Sequence, residues 1–397
     1  MLKKIKIGNE TCQKRKICFV VSSIQTVKAF LVDQIRALQV RYDVSVVANT
    51  DDLFILKHYG LDIPITPVQI ERKISIWKDV KALSALFILF RKNGYSVVHS
   101  VTPKAGLLAM AGSFFAKVPS RCHIFTGQVW ATKHGFKRFL LRKVDTLTSI
   151  LATHVLIDSH SQRDFLVIEG VVSREKSQVL HKGSIAGVDT DRFHPSVEYR
   201  KKIRRSLSID DLAFIFLFIG RLNKDKGVLD LAEAFSKVNR QVRNSCLLMI
   251  GEDEDNLAEM IYNLCRPCRD KVHLLRHTES PEKYMAASDI LVLPSYREGF
   301  GVVVIEAAAC GIPTIGARIY GITDAVEDGV TGLLHTCGEV SELVEKMTYC
   351  IGHPEENKKM GQKARERVEA DFTTKRITSE VVKFYAAMDR SIPSKSC

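Results

Sequence analysis

The stretch Arg297–Gly316, REGFGVVVIEAAACGIPTIG, carries two glutamates, Glu298 and Glu306, eight positions apart around the glycines Gly299 and Gly301. It follows DILVLPS (289–295), an apolar run that reads as a buried strand leaving its sheet. The pattern predicts a loop through the glycines and a helix from about Val302. Glu298 then lies in the loop and Glu306 just over one turn into the helix. Gly299, Phe300 and Gly301 form a backbone path that approaches a ligand closely. Amides near Gly301 and Val302, at a helix start, favour an anion. The carboxylates themselves repel phosphate at neutral pH and suit a hydroxyl-rich partner, to which they make charge-assisted hydrogen bonds.

The same strand–loop–helix grammar runs outward in both directions. Strand candidates before the middle of the chain are KICFVVSS, DVSVVAN, YSVVHSV, RCHIFT, HVLIDS and SQVLHKG. Helical patterns such as VKAFLVDQIRALQ and ISIWKDVKALSALFILFRKN separate them. After the middle come AFIFLFIG, CLLMIGE, VHLLR, DILVLPS and IPTIG. Apolar strands alternating with helices indicate parallel sheets covered on both faces. At 397 residues the chain exceeds one ordinary core. Two successive sets therefore predict an α/β protein of two Rossmann-like domains whose sheets face a cleft. The change of domain is expected near GSIAGVDTDRFHPS (183–196), where turn formers replace periodicity. The reading is a tail over 1–15, domains over 16–190 and 191–375, and a last helix over 376–397 returning to the first domain.

Ligands of open parallel sheets sit beyond the carboxyl ends of strands. There AFIFLFIG runs into GRLNKDKG (Gly220–Gly227), which presents Arg221 and Lys226 beside a helix start. Two cations and helix amides make a place for a diphosphate. No GxxxxGK[ST] occurs, and no GxGxxG follows the first strand. Carboxylates for sugar hydroxyls, with cations and amides for a diphosphate, describe a nucleotide-sugar.

These motifs resemble the E-x7-E loop of family-4 retaining glycosyltransferases with the GT-B fold. GRLNKDKG is similar to that family's diphosphate loop, GSIAGVDTDRFHP to its interdomain stretch, and DGVTGLL to a turn of its C-terminal domain. SSIQTVKAFLVDQIRAL resembles the first loop and helix of the branch that builds bacterial surface polysaccharides. The resemblance implies that Glu306 holds the nucleoside ribose, Glu298 meets the donor sugar at the reacting centre, and Arg221 and Lys226 neutralise the departing diphosphate. It also implies donor contacts from Gly220, Gly299, Phe300, Gly301, Val302, Ser22, Ser23 and Thr126. Many relatives carry a histidine where Thr126 stands, and glycines where Ser22 and Ser23 stand. His123, three residues before Thr126, reads as structural.

The DxD strings at Asp189–Asp191 and within GEDEDN (251–256) read as turn and helix-start chemistry, so no metal and no cofactor is expected. Ten cysteines, several in apolar patterns (Cys18, Cys122, Cys310), read as small buried hydrophobes. A lone CRPC (265–268) lacks the second pair or histidines a zinc site needs. The net charge is +13, yet residues 1–200 alone carry +14 and residues 201–397 carry −1. Within the basic half, KHGFKRFLLRKVDTL (133–147) spaces Phe136, Phe139, Leu140 and Val144 at helical intervals among five Lys and Arg. Such helices lie at anionic membrane surfaces, although a core-facing helix would show the same spacing.

The partners expected are a nucleotide-sugar, a lipid-linked glycan acceptor and the anionic inner-membrane surface, with no nucleic acid. The start MLKKIKIGNETCQKRK turns polar where a signal peptide is apolar, so the expected location is the cytoplasmic face of that membrane. A UDP-hexose or UDP-N-acetylhexosamine is the expected donor, giving an α-linkage. GDP-mannose is the alternative, and a nucleotide-sugar 2-epimerase is a further one. The acceptor is expected to be a polyprenyl-diphosphate-linked or lipopolysaccharide glycan.

Overall fold

The computed structural model describes residues 14–71 and 75–391, so the expected N-terminal tail lies, but for its last two residues, outside the described part. There are two parallel sheets. The first contains β1 (Arg15–Val20), β2 (Tyr42–Ala48), β3 (Ile65–Pro67), β4 (Val97–Val101), β5 (Ser120–Phe125), β6 (His154–Ile157) and β7 (Ser177–Gln178), in the order β3-β2-β1-β4-β5-β6-β7. The second contains β8 (Phe214–Ile219), β9 (Ser245–Ile250), β10 (Val272–Leu275), β11 (Ile290–Leu293), β12 (Thr314–Ala317) and β13 (Gly332–His335), in the order β10-β9-β8-β11-β12-β13. Both orders reverse beside the first strand of the set, as in doubly wound folds.

Two strands escaped the sequence reading. β3 is three residues long and ends in proline, too short for a period to show. β13, GLLH, follows a glycine-rich turn and has only two large apolar residues. The pattern VKAFLVDQIRALQ, which reads as one helix, is broken at Leu31 into helices Ile24–Phe30 and Val32–Leu38.

The described residues form two compact units, one reaching to His123 and the other running from Ile124 to Arg390. The second unit includes β6, β7 and the loops that follow β5 and β6. The stretch 183–196 carries no helix or strand. The last helix, Thr374–Ser391, sets Phe384 edge-on against His154 of β6, with ring centroids 5.9 Å apart.

Inside the first unit two imidazoles are buried together. His99 stacks on Phe19 at 5.1 Å, and His123 Nδ1 is 2.8 Å from the Ser100 hydroxyl. Burial pushes both down to about 3, with the neighbouring His99 adding to the effect on His123. The folded chain therefore holds them neutral, while the unfolded chain protonates them below about 6.5. Their contribution to stability is full above that pH and is lost as the pH falls toward 3, at about 1.4 kcal/mol per pH unit for each group. Hydrogen-exchange protection of the β4 segment, corrected for intrinsic rates, should drop at least tenfold between pH 7 and pH 5. Unchanged protection would mean that these rings are not buried neutral.

Candidate active site

The loop after β8 is shaped by its own side chains. Asn223 accepts a hydrogen bond from the Lys226 amide at 3.2 Å, which closes one tight turn over Lys224–Lys226 before helix Val228–Gln241 begins. The turn sends Lys226 toward the loop after β11, where its Nζ pairs directly with Glu298 Oε1. The Ser295 hydroxyl donates to the same oxygen at 2.9 Å. Both partners are largely withdrawn from water, 18% and 12% exposed, so solvent and salt screen the pair weakly. Arg221, on the same loop, gives its guanidinium to both oxygens of Glu254 at 3.1 and 2.9 Å and stays half-exposed. Gly220 ends β8 just before it.

The loop Glu298–Gly301 is pressed against the loop after β5. A Cβ on Gly299 would sit 2.5 Å from the Thr126 carbonyl oxygen and 2.7 Å from Asp158 Oδ2. Gly127, at φ +114°, faces it, and a Cβ there would meet the Gly299 nitrogen at 3.1 Å. Ser159 donates to the Gly299 carbonyl at 2.9 Å. Thr126 therefore reaches the loop through its backbone. The ring of Phe300 is buried and packs on Phe372 at 5.3 Å, so what Phe300 offers a ligand is main chain. Gly301, at φ +86°, caps helix Val302–Ala309, whose first amides lack partners within the helix.

Glu306 lies on that helix, half-buried. Burial pushes its carboxyl up to about 7, with Arg192 opposing and Glu282 reinforcing the shift. Arg192, from the expected interdomain stretch, donates to Glu282 from Nε and from its terminal nitrogen, at 3.0 and 2.9 Å. A sugar hydroxyl entering here would meet a carboxylate that gains charge near neutrality. Ser22 and Ser23 belong to the first unit. Ser22 accepts from the Thr102 hydroxyl at 3.1 Å, and Ser23 caps helix Ile24–Phe30 through the Gln25 amide.

In each DxD string backbone amides engage a carboxylate. Asp189 accepts from the Asp191 amide at 3.0 Å, and Asp253 accepts from the Leu257 and Ala258 amides at 2.8 and 3.0 Å, where helix Ala258–Leu264 starts. Cys265 and Cys268 are buried free thiols.

Three acids around the site were not singled out from sequence. Asp225 takes Arg297 Nε at 2.8 Å and the Thr132 hydroxyl at 3.2 Å, with Lys133 at 3.8 Å. Burial pushes its carboxyl up, but the Arg297 hydrogen bond and charge, with Lys133, outweigh that and hold it low. Asp158 is buried beneath the Glu298 loop. Burial raises it to about 7, with the Ile185 amide opposing and the Glu298 charge adding to it. Glu282 completes the Glu306 cluster. Asp158 and Asp225 stand in the loops beyond β6 and β8, where the strand-end rule that found Lys226 would have reached them, whereas Glu282 lies inside helix Pro281–Ala287.

The chain matches two family profiles: "Glycosyl transferase 4-like domain" over residues 26–183 and "Glycosyl transferases group 1" over residues 199–367. It is 30% identical, over 83% of its length and 86% of the relative's, to the capsular polysaccharide biosynthesis glycosyltransferase CapM of Staphylococcus aureus. It is 25% identical, over 70% and 71%, to an Escherichia coli protein named UDP-Gal:alpha-D-GlcNAc-diphosphoundecaprenol alpha-1,3-galactosyltransferase. Among solved structures, Anabaena Alr3699/HepE in complex with UDP-glucose superposes with a TM-score of 0.81 at 21% identity, covering 94% of this chain and 99% of that one. WaaG, a glycosyltransferase involved in lipopolysaccharide biosynthesis, superposes at 0.71 with 16% identity, covering 92% and 98%.

Proposed function

The chain belongs to the family-4 glycosyltransferases of GT-B fold, and on that premise we propose that it moves a hexose or N-acetylhexosamine from a UDP-sugar to a hydroxyl of a lipid-linked glycan, with retention at the anomeric carbon. The observation that carries this reading is the Lys226–Glu298 pair beside the first amides of helix Val302–Ala309. It supplies a cation and backbone donors for a leaving diphosphate, and an anion for the carbon it leaves. Charge that builds on the leaving group is where stabilisation accelerates transfer. In this reading Lys226 and Arg221 take that charge, Glu298 steadies the positive charge growing on the sugar, and a diphosphate oxygen helps deprotonate the acceptor on the same face. Glu306 holds the ribose.

The donor nucleotide is supported by the names of the Escherichia coli and Anabaena proteins, and the lipid-linked acceptor by that of the former. A GDP-mannose donor is the second candidate.

Docking at an anionic membrane is supported by helix Gly135–Leu151. It buries Asp145, Thr148 and Ser149 while Phe136, Phe139, Leu140, Leu147 and Ile150 stay exposed. Among the described residues no helix is long and apolar enough to cross a membrane.

Arg221 and Lys226 fill the place a metal would take on the diphosphate, so transfer is expected to need none. Transfer of labelled sugar from UDP-galactose, UDP-glucose and the N-acetylated donors to undecaprenyl-diphosphate-N-acetylglucosamine tests both points. Full activity in EDTA, with an α-linked product by NMR, is expected. Activity abolished by EDTA and restored by manganese would overturn the metal-free reading, and a β-linked product would overturn retention.

A further inference from the structure

Among the described residues no element covers the solvent face of helix Ile76–Asn93. Ile76, Trp77, Val80, Phe87 and Ile88 are exposed along it, and Trp77 is 86% exposed. They recur at helical spacing on the side opposite the buried Ala82, Leu86 and Phe90. The neighbouring helix Pro103–Phe115 packs against it, with Gly112 set close to Leu86 and Phe87, and ends in exposed Phe114 and Phe115. An apolar face of seven large side chains, aromatic at both ends, is more than scattered surface hydrophobes.

The charge around this face selects its occupant. Residues 75–93 and 103–121 hold seven Lys and Arg (Lys78, Lys81, Arg91, Lys92, Lys104, Lys117, Arg121) against a single acid, Asp79. Asp79 is tied to Lys104 at 2.6 Å, and Lys78 pairs with Glu71. Arg121 lies over the Phe114 ring at 5.4 Å. Exposed aromatic and aliphatic side chains ringed by lysine and arginine fit an interface where acyl chains meet anionic headgroups.

We infer that this face of the first unit seats in an anionic lipid leaflet, with Trp77 inserted among the acyl chains. The inference extends the membrane reading of helix Gly135–Leu151 to the other compact unit and does not depend on which sugar is transferred.

The chain has two tryptophans. Trp130 is buried, stacked on Phe165 and hydrogen-bonded to Asp145, so a lipid-induced change in emission reports Trp77. With the full chain at low salt, vesicles of phosphatidylglycerol and phosphatidylcholine in equal parts should shift the emission to the blue. Brominated acyl chains should quench it. Neutral phosphatidylcholine vesicles should do neither. Trp77→Phe should abolish the quenching, and Ile88→Ser should weaken vesicle binding roughly tenfold, as expected for one apolar side chain left in water, without changing UDP affinity.

Three results would overturn the inference. One is Trp77 unquenched in protein that sediments with the vesicles, which would leave docking to helix Gly135–Leu151. A second is no association with anionic vesicles. The third is an emission shift that follows protein concentration without lipid, which would make the face a contact between two copies of the chain.

Discussion

Glu298→Gln should lower kcat by about 10²-fold or more while leaving the donor KM within a few fold. The carboxylate is mostly shielded from water and already paired with Lys226 Nζ. Its charge is therefore fixed in place before the reaction, the condition under which electrostatic stabilisation of a transition state is strongest. Glutamine retains the shape and an oxygen that accepts from Ser295, so the loop should keep its fold. What is lost is the charge opposing the positive centre that grows on the sugar carbon. Removing one such preorganised contact costs about 3 kcal/mol in the barrier, or about 10²-fold. The ground state carries no such charge, so binding changes little. Steady-state kinetics on the variant, with a melting curve to confirm folding, checks this. Unchanged turnover, or an unfolded variant, would remove Glu298 from the chemistry.

Glu306→Gln should do the opposite: raise the donor KM about tenfold and leave kcat nearly unchanged. A hydrogen bond to a charged acceptor contributes about 1.5–3 kcal/mol, and the ribose is held alike before and during the reaction, so its loss appears as uniform binding. The wild-type carboxyl titrates near 7 because burial raises it. It is ionised above that pH and takes a proton as the pH falls below it. The wild-type donor KM should therefore rise between pH 7.5 and pH 6, while that of Glu306→Gln stays flat over the same range. Parallel pH profiles for the two proteins would show that Glu306 does not face the donor.

The parallel sheets, the strand–loop–helix around Glu298 and the basic loop after β8 were legible because each rests on local patterning. A helix from Val302, with Glu306 just over a turn inside, needs only a run of apolar residues after two glycines. The pairing of Lys226 with Glu298 was not legible. The residues are 72 positions apart, and only the adjacency of β8 and β11 brings their loops together. Sequence assigned them to different parts of the ligand, whereas the fold joins them directly. Gly299 was read as an approach for a ligand. Its second constraint, the Thr126 carbonyl and Asp158 on the other side, comes from the loops after β5 and β6, both more than 140 residues earlier. The basic helix at 133–147 shows the limit most plainly. Its spacing fits an inward or an outward apolar stripe, and only the packing of Asp145 beneath Trp130 turns the apolar face to solvent.

The most direct measurement is a calorimetric titration of the full chain with UDP and with UDP-hexoses. The account predicts micromolar binding of UDP by the wild type, the same affinity for Glu298→Gln, and binding about tenfold weaker for Glu306→Gln at pH 7.5. No heat with any nucleoside diphosphate, or equal affinity in all three proteins, would contradict the assignment of this site to a nucleotide-sugar.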